Sequence, residues 1–330
     1  MFELLKKLCK ASGVAGRENE IRNTLAEIMQ PLCDEMHTDN MGNLICFKQG
    51  KGENREKIML CGHMDEIGFI ATYIESDGMI RISSLGGINF TASAFSKVVF
   101  NNGVEGVLVP EGGATPPYSF DKVYVDIGAK DKKSAEKKVA VGDILRCVPS
   151  LTRLSYGRVC GRPVDDRVGC AVVVDVAKKV ASSPVNDDLY YVFSVQEEVG
   201  CRGSRTAAFS VKPDRCLVYD VTGTGDTKGA KPMKCSVGAG AAIKIKDSSV
   251  ICNDIMVEEL IECAKSNKIK HQLEILNYGG TDTSSIQASG AIAAAISIPC
   301  RYIHSSVETI DMADVKACSE LTFAYLNGKN

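Results

Sequence analysis

A strand that stops in two neighbouring carboxylates constrains this chain more than any other feature. The run Leu189-Tyr190-Tyr191-Val192-Phe193-Ser194-Val195 is aromatic and β-branched, which predicts a buried strand, and it ends in Gln196-Glu197-Glu198-Val199-Gly200. Adjacent acidic groups in a partly buried place repel one another unless a cation or a shared proton separates their tasks. The pair therefore predicts a metal site at the edge of a sheet.

The arrangement recurs along the chain. Cys61 is followed by His63 and Asp65, Val218-Tyr219 by Asp220, and Tyr302-Ile303 by His304, so four apolar runs end in groups that can bind a metal. Asp165-Asp166 stands just before a predicted helix from Val168 to Val180, where a carboxylate also suits the helix N-terminus. Each residue alone has an ordinary role open to it: a hydrogen-bonded histidine at a rim, an aspartate capping a helix, a solvated pair of glutamates. Their joint occurrence at strand ends outweighs these separate roles. Only four histidines occur, and two of them, His63 and His304, sit at strand ends; His37 and His271 lie beside charged residues and receive no role. Two histidines and three carboxylates satisfy two divalent ions if one carboxylate bridges.

The pattern around these residues is that of an α/β protein with an insertion. Two helices split at Ser12–Gly16 open the chain, and strands follow at Asn43–Phe47 and Lys57–Cys61. From residue 67 to 162 the chain consists of short strand-like runs broken by Gly86-Gly87, Gly112-Gly113 and Pro116-Pro117, which predicts a small β-barrel or sandwich inserted into the α/β domain formed by residues 1–66 and 163–330. Strands and helices then alternate, with helices from Asn253 to Ser266 and from Ala313 to Leu326. This predicts a mostly parallel mixed sheet with helices on both faces and ligands at the carboxyl ends of its strands.

Composition narrows the function. The 39 basic and 41 acidic residues leave a net charge of −2, which gives no reason to expect nucleic acid. No apolar run reaches the roughly 20 residues that span a bilayer, so a membrane is not expected and a cytoplasmic location is. The 14 cysteines include no C-x-x-C pair and are read as reduced core thiols. P-loop, G-x-S-x-G, H-E-x-x-H and helix-opening G-x-G-x-x-G motifs are absent. A chain with no Trp is also poorly equipped to stack on polysaccharide.

Five blocks together resemble the M42 metallo-aminopeptidases: Gly62-His63-Met64-Asp65-Glu66-Ile67-Gly68-Phe69, Val164-Asp165-Asp166-Arg167-Val168-Gly169, Gln196-Glu197-Glu198-Val199-Gly200, Tyr219-Asp220-Val221-Thr222 and Arg301-Tyr302-Ile303-His304-Ser305. That family includes glutamyl aminopeptidases and tetrahedral TET peptidases, and some members carry endoglucanase names. The resemblance implies a fold of the co-catalytic zinc peptidase type. It implies two divalent ions per subunit, Zn, Co or Mn, one held by His63 and Asp220 and the other by Glu198 and His304, with Asp165 bridging. It further implies Glu197 as the general base acting on a metal-bridging water, Asp65 as a support for the His63 imidazole, and a cis peptide at Asp165-Asp166.

The same resemblance places Asp282 and Thr281 at the substrate site; an alternative role for Asp282 is a helix N-cap. The substrates implied are peptides with a free amino terminus. The insertion would mediate dimerisation within a homo-oligomer, up to a tetrahedral dodecamer. Lys228, Lys231 and Lys234 either select an acidic first residue or form a solvated loop. Two rival readings are a related deacylase or carboxypeptidase acting on acylated amino acids, and a metal-binding scaffold without hydrolytic activity. The scaffold leaves Glu197 without a task, because a structural metal site needs no spare base.

Overall fold

The computed structural model describes residues 1–328. At its centre the strands Asp188–Ser194, Lys57–His63, Arg215–Thr222 and Ile292–Arg301 lie side by side in that order, all parallel. Their near-continuous apolar sequences follow from burial on both faces. Along Lys57–His63, Ile58 and Leu60 enter one core while Met59 and Cys61 enter another on the opposite side of the pleat. Helices Phe2–Lys10, Arg167–Ser182 and Met312–Gly328 cover the first face. Helices Arg202–Val211 and Asp282–Gln287 cover the second.

Beyond these strands and the parallel pair Ala241–Lys246 and His271–Ile275, the sheet is antiparallel. One edge is the hairpin of Glu35–Thr38 and Leu44–Lys48, antiparallel to its neighbour; the other edge holds Glu308–Asp311, Arg158–Arg162 and Ser150–Arg153, also antiparallel. Short connections force this for Glu35–Thr38 with Leu44–Lys48, Ser150–Arg153 with Arg158–Arg162 and Ile292–Arg301 with Glu308–Asp311, since neighbouring strands joined by a short turn run in opposite directions.

Six strands between Gly68 and Cys147 close into a barrel filled by Phe69, Ile80, Val98, Phe100, Leu108 and Val125. Ser150–Arg153 and Arg158–Arg162 fall within the range read as the insertion, but their hydrogen bonds run to each other and to Glu308–Asp311 in the large sheet. Among the described residues no helix is long and apolar enough to cross a membrane.

Register delivers the metal-capable residues to one edge. Ser194 lies opposite His63, and Tyr219 lies opposite Gly62, so Glu197-Glu198 and Asp220 emerge beside His63 at the carboxyl ends of the parallel strands. Helix Arg167–Ser182 starts behind them, capped by Asp166, whose Oδ1 accepts from the Gly169 amide at 2.9 Å. Only glycine fits at 169, because a Cβ there would collide with the Asp166 carboxylate.

Candidate metal centre and active site

The five residues read as metal ligands converge. His63 Nε2 stands 3.2 Å from Asp165 Oδ1 and 3.7 Å from Asp220 Oδ1. His304 Nε2 stands 3.3 Å from the other oxygen of the same carboxylate, Asp165 Oδ2, and 3.2 Å from Glu198 Oε2. Asp165 thus turns one oxygen to each imidazole, and the peptide that follows it, Asp165-Asp166, is cis. Donor atoms of His63, Asp165 and Glu198 lie within 4.8 Å of one another, and so do those of His63, Asp166 and Asp220. The second group brings in Asp166, which the sequence marks only as half of an acidic pair. Its Oδ2 is buried and has no hydrogen-bond partner, as is Glu198 Oε1.

Charge explains why this edge suits divalent cations. Asp165, Asp166, Glu197, Glu198 and Asp220 face two histidines, and all of these acids but Glu197 and Glu198 are nine-tenths or more buried. Burial pushes Asp220 up to about 6 against the pull of His63. It pushes Glu198 up as well, helped by Asp165, and raises Asp166 with help from Asp220. Burial also works against charge on His304, but Asp165 and Glu198 outweigh it and push the imidazole up to about 12. On Asp165 the bonds to His304 and His63 overcome burial and hold the carboxyl low. Imidazole nitrogens and carboxylate oxygens with unpartnered buried atoms form the donor set of a divalent transition-metal site.

Supporting residues fix these groups in place. Asp65 Oδ1 lies 3.5 Å from His63 Nδ1, but its closer partners are backbone amides: Oδ1 accepts from Glu197 N at 3.0 Å and Oδ2 from Glu198 N at 3.1 Å. The carboxylate therefore ties the turn carrying both glutamates to the end of the neighbouring strand. Glu308, which no sequence pattern singles out, does the same on the other side. It is buried and accepts from the amides of Val164 at 2.7 Å, Asp165 at 3.2 Å and His304 at 3.0 Å. Its only sequence signal is its place four residues after His304. The barrel contributes too, since the Gly87 carbonyl lies 2.7 Å from His304 Nδ1 and fixes the ring with Nε2 facing the carboxylates. Gln196, Cys201, Tyr302 and His304 all adopt positive φ, a cluster of left-handed non-glycine backbone that marks a constrained site.

Glu197 borders the same cavity, of about 620 Å³, as His63, Asp165, Glu198, Asp220 and His304. Its Oε1 accepts from the Cys201 thiol at 3.2 Å. Burial pushes its carboxyl well up, and Asp220, Asp282 and Glu198 add to this against His63. Thr281 also lines the cavity and caps helix Asp282–Gln287. Asp282 does not line it. Its carboxylate is buried beneath Glu197, with Oδ1 accepting from Ser204 Oγ at 2.6 Å and Oδ2 accepting from Ser194 Oγ. It is the first residue of the helix rather than its cap. Lys228, Lys231 and Lys234 are exposed in an irregular segment and stand outside the cavity wall.

Comparison with known proteins gives this geometry a lineage. The sequence profile of the M42 glutamyl aminopeptidases matches residues 42–321. A protein of Acetivibrio thermocellus provisionally named an aminopeptidase is 44% identical over 97% of each chain. An aminopeptidase from the archaeon Desulfurococcus kamchatkensis superposes with a TM-score of 0.95 at 33% identity, covering 99% of this chain and 94% of that one. The TET1 peptidase of Pyrococcus horikoshii, which can assemble into a tetrahedron or a large octahedral shell, superposes with a TM-score of 0.88 at 28% identity over 98% of each chain. A profile match over most of the length and identity that runs from end to end have one reading: this chain belongs to the M42 family of metal-dependent aminopeptidases and is a hydrolase of peptide bonds.

Proposed function

We propose that the protein is a dinuclear aminopeptidase in which His63 and Asp220 hold one divalent ion, Glu198 and His304 hold the other, Asp165 bridges, and Glu197 is the general base. The observation that carries the reading is the division of the Asp165 carboxylate, one oxygen 3.2 Å from His63 Nε2 and the other 3.3 Å from His304 Nε2. Zinc, cobalt or manganese held by these residues would supply Lewis acidity to the scissile carbonyl and to the attacking water.

The chain's own residues supply the rest. Glu197 is held beside Glu198 by the Asp65 carboxylate but is not needed as a ligand, so its carboxylate is free to take a proton from water and pass it to the leaving amine. Burial raises its proton affinity towards what that shuttle requires. Asp65 and Glu308 keep the ligand-bearing turns from shifting, through amides rather than through the ligands themselves.

Glu197→Gln is expected to bind metal as the native chain does while kcat falls by about a thousandfold or more on an aminoacyl p-nitroanilide. Full turnover in that variant would remove Glu197 from the mechanism. N-acetylated substrates run in parallel distinguish the deacylase, since an aminopeptidase leaves them intact.

The likeness to the TET1 peptidase supports a homo-oligomer, which static light scattering of the full chain measures; we assign the 67–162 region as its contact. None of the 14 cysteines is bonded to another, which supports a reducing, cytoplasmic setting; localisation of a tagged chain is the check.

A further inference from the structure

Beyond the residues proposed to handle metal and proton, the cavity wall carries two charged side chains among the described residues, Lys244 and Arg301. Each has its charge balanced by an internal carboxylate. Lys244 is 1% exposed and its ammonium is bonded to Glu274 and stands 3.1 Å from Asp247 Oδ2, so one cation already faces two fully buried carboxylates. Arg301 is held in a two-point pair with Asp226, Nε to Oδ1 at 3.0 Å and Nη2 to Oδ2 at 2.7 Å, which balances its charge and uses two of the five guanidinium N–H groups.

A carboxylate entering the cavity would meet no unbalanced positive charge on these two side chains unless one of the pairs were broken. An ammonium entering near Glu274 and Asp247 would meet Lys244 first, because the two acids lie behind it and do not reach the cavity. The remaining wall is apolar or hydroxylic: Val221, Thr222, Thr224, Leu276, Tyr278 and Ile303. Tyr278 is 60% exposed and reaches the wall because residue 223 is glycine, where a Cβ would lie 2.7 Å from the Tyr278 hydroxyl.

We infer that the amino-terminal residue this enzyme removes has an uncharged, largely apolar side chain, with Lys244 and Arg301 excluded from recognition by their internal partners. This rests on the aminopeptidase reading and names its substrate class. It also assigns the exposed Lys228–Lys234 segment no part in selecting an acidic residue.

The test is kcat/KM of the metal-loaded full chain on the p-nitroanilides of leucine, methionine, glutamate and lysine. Leucine and methionine are expected to exceed glutamate and lysine by about tenfold or more, since a charged group left without a partner is rejected strongly. Glutamate or lysine matching or exceeding leucine would overturn the inference and leave the aminopeptidase reading standing. Failure to cleave any of the four would overturn that reading and the inference with it.

Asp226→Asn supplies a second, independent measurement. It leaves the Arg301 guanidinium without its carboxylate, and the glutamate-to-leucine ratio of kcat/KM is expected to rise about tenfold while the lysine-to-leucine ratio does not. The ratio is taken within one preparation, so partial misfolding does not move it. A glutamate-to-leucine ratio that stays at the native value would show that Asp226 does not mask Arg301 and would overturn the assignment.

Discussion

At the scale of single residues, the site is a set of carboxylates whose roles differ by what each one touches. Glu197 and Glu198 are readable from sequence, because a strand apolar enough to be buried places two adjacent acids where only a cation or shared protons relieve their repulsion. Glu308 is not readable. It acts on the amides of Val164 and Asp165, 144 and 143 residues away, and contact with a backbone leaves no pattern in composition or spacing. Glu18 is equally silent. It is 5% exposed, its Oε1 accepts from the Gly16 amide at 2.6 Å, and burial followed by the charge of Asp65 pushes its carboxyl up to about 7. A carboxyl whose folded pKa lies above its unfolded value contributes most to stability below about 4.5, and that contribution is lost as pH rises through about 7. Glu18→Gln keeps an acceptor for Gly16 without the charge. The variant should match the native chain at pH 5 and exceed it by about 1–3 kcal/mol at pH 8 in urea unfolding. Equal stability at both pH values would mean that Glu18 carries no buried charge.

At the scale of elements, the barrel is joined to the sheet through buried charge. Arg146 on the barrel strand Ile144–Cys147 donates to Glu66 Oε1 at 2.9 Å and to the Lys10 carbonyl at 2.8 Å. Arg167 at the start of helix Arg167–Ser182 donates to the same Glu66 oxygen at 3.2 Å and to the Ala11 carbonyl at 2.9 Å. One carboxylate therefore holds barrel, helix and amino-terminal segment together. Glu66→Ala leaves two buried guanidinium groups without their anion, and the loss expected is about 3–5 kcal/mol. Equilibrium urea unfolding measures it, and a loss below about 1 kcal/mol would show that the carbonyls suffice. Glu66 lies inside the first of the family-like blocks, so the sequence marks it as part of a motif without marking what it does. The central strands are legible for the opposite reason. Runs such as Arg215–Thr222 are mostly apolar, as burial on both faces requires, whereas the antiparallel strands Ser150–Arg153 and Glu308–Asp311 are short and mixed in character and do not announce their sheet.

At the scale of the whole molecule, sequence order conveys the architecture because the residues proposed as ligands sit where strands end, and strand ends in a parallel sheet share one edge. It does not convey that the barrel reaches the centre, since the Gly87 carbonyl beside His304 is a contact made by a backbone. The fold gathers Asp165, Asp166, Glu198 and Asp220 around two imidazoles, and the repulsion among them opposes the native state. Divalent ions that bind the assembled edge and not the unfolded chain stabilise by mass action, about 4 kcal/mol at a free concentration a thousandfold above Kd. Chelation should therefore abolish peptidase activity and also lower Tm, by on the order of 5–10 °C for a chain of this size. Light scattering recorded during the scan separates subunit dissociation from unfolding. Titrating zinc, cobalt or manganese back should restore Tm with saturation at two ions per chain, and the Asp165→Ala chain should show little of that recovery because it lacks the carboxylate proposed to bridge. A Tm indifferent to chelation would mean that the carboxylates are already neutralised by protons, and that the edge is not built around metal.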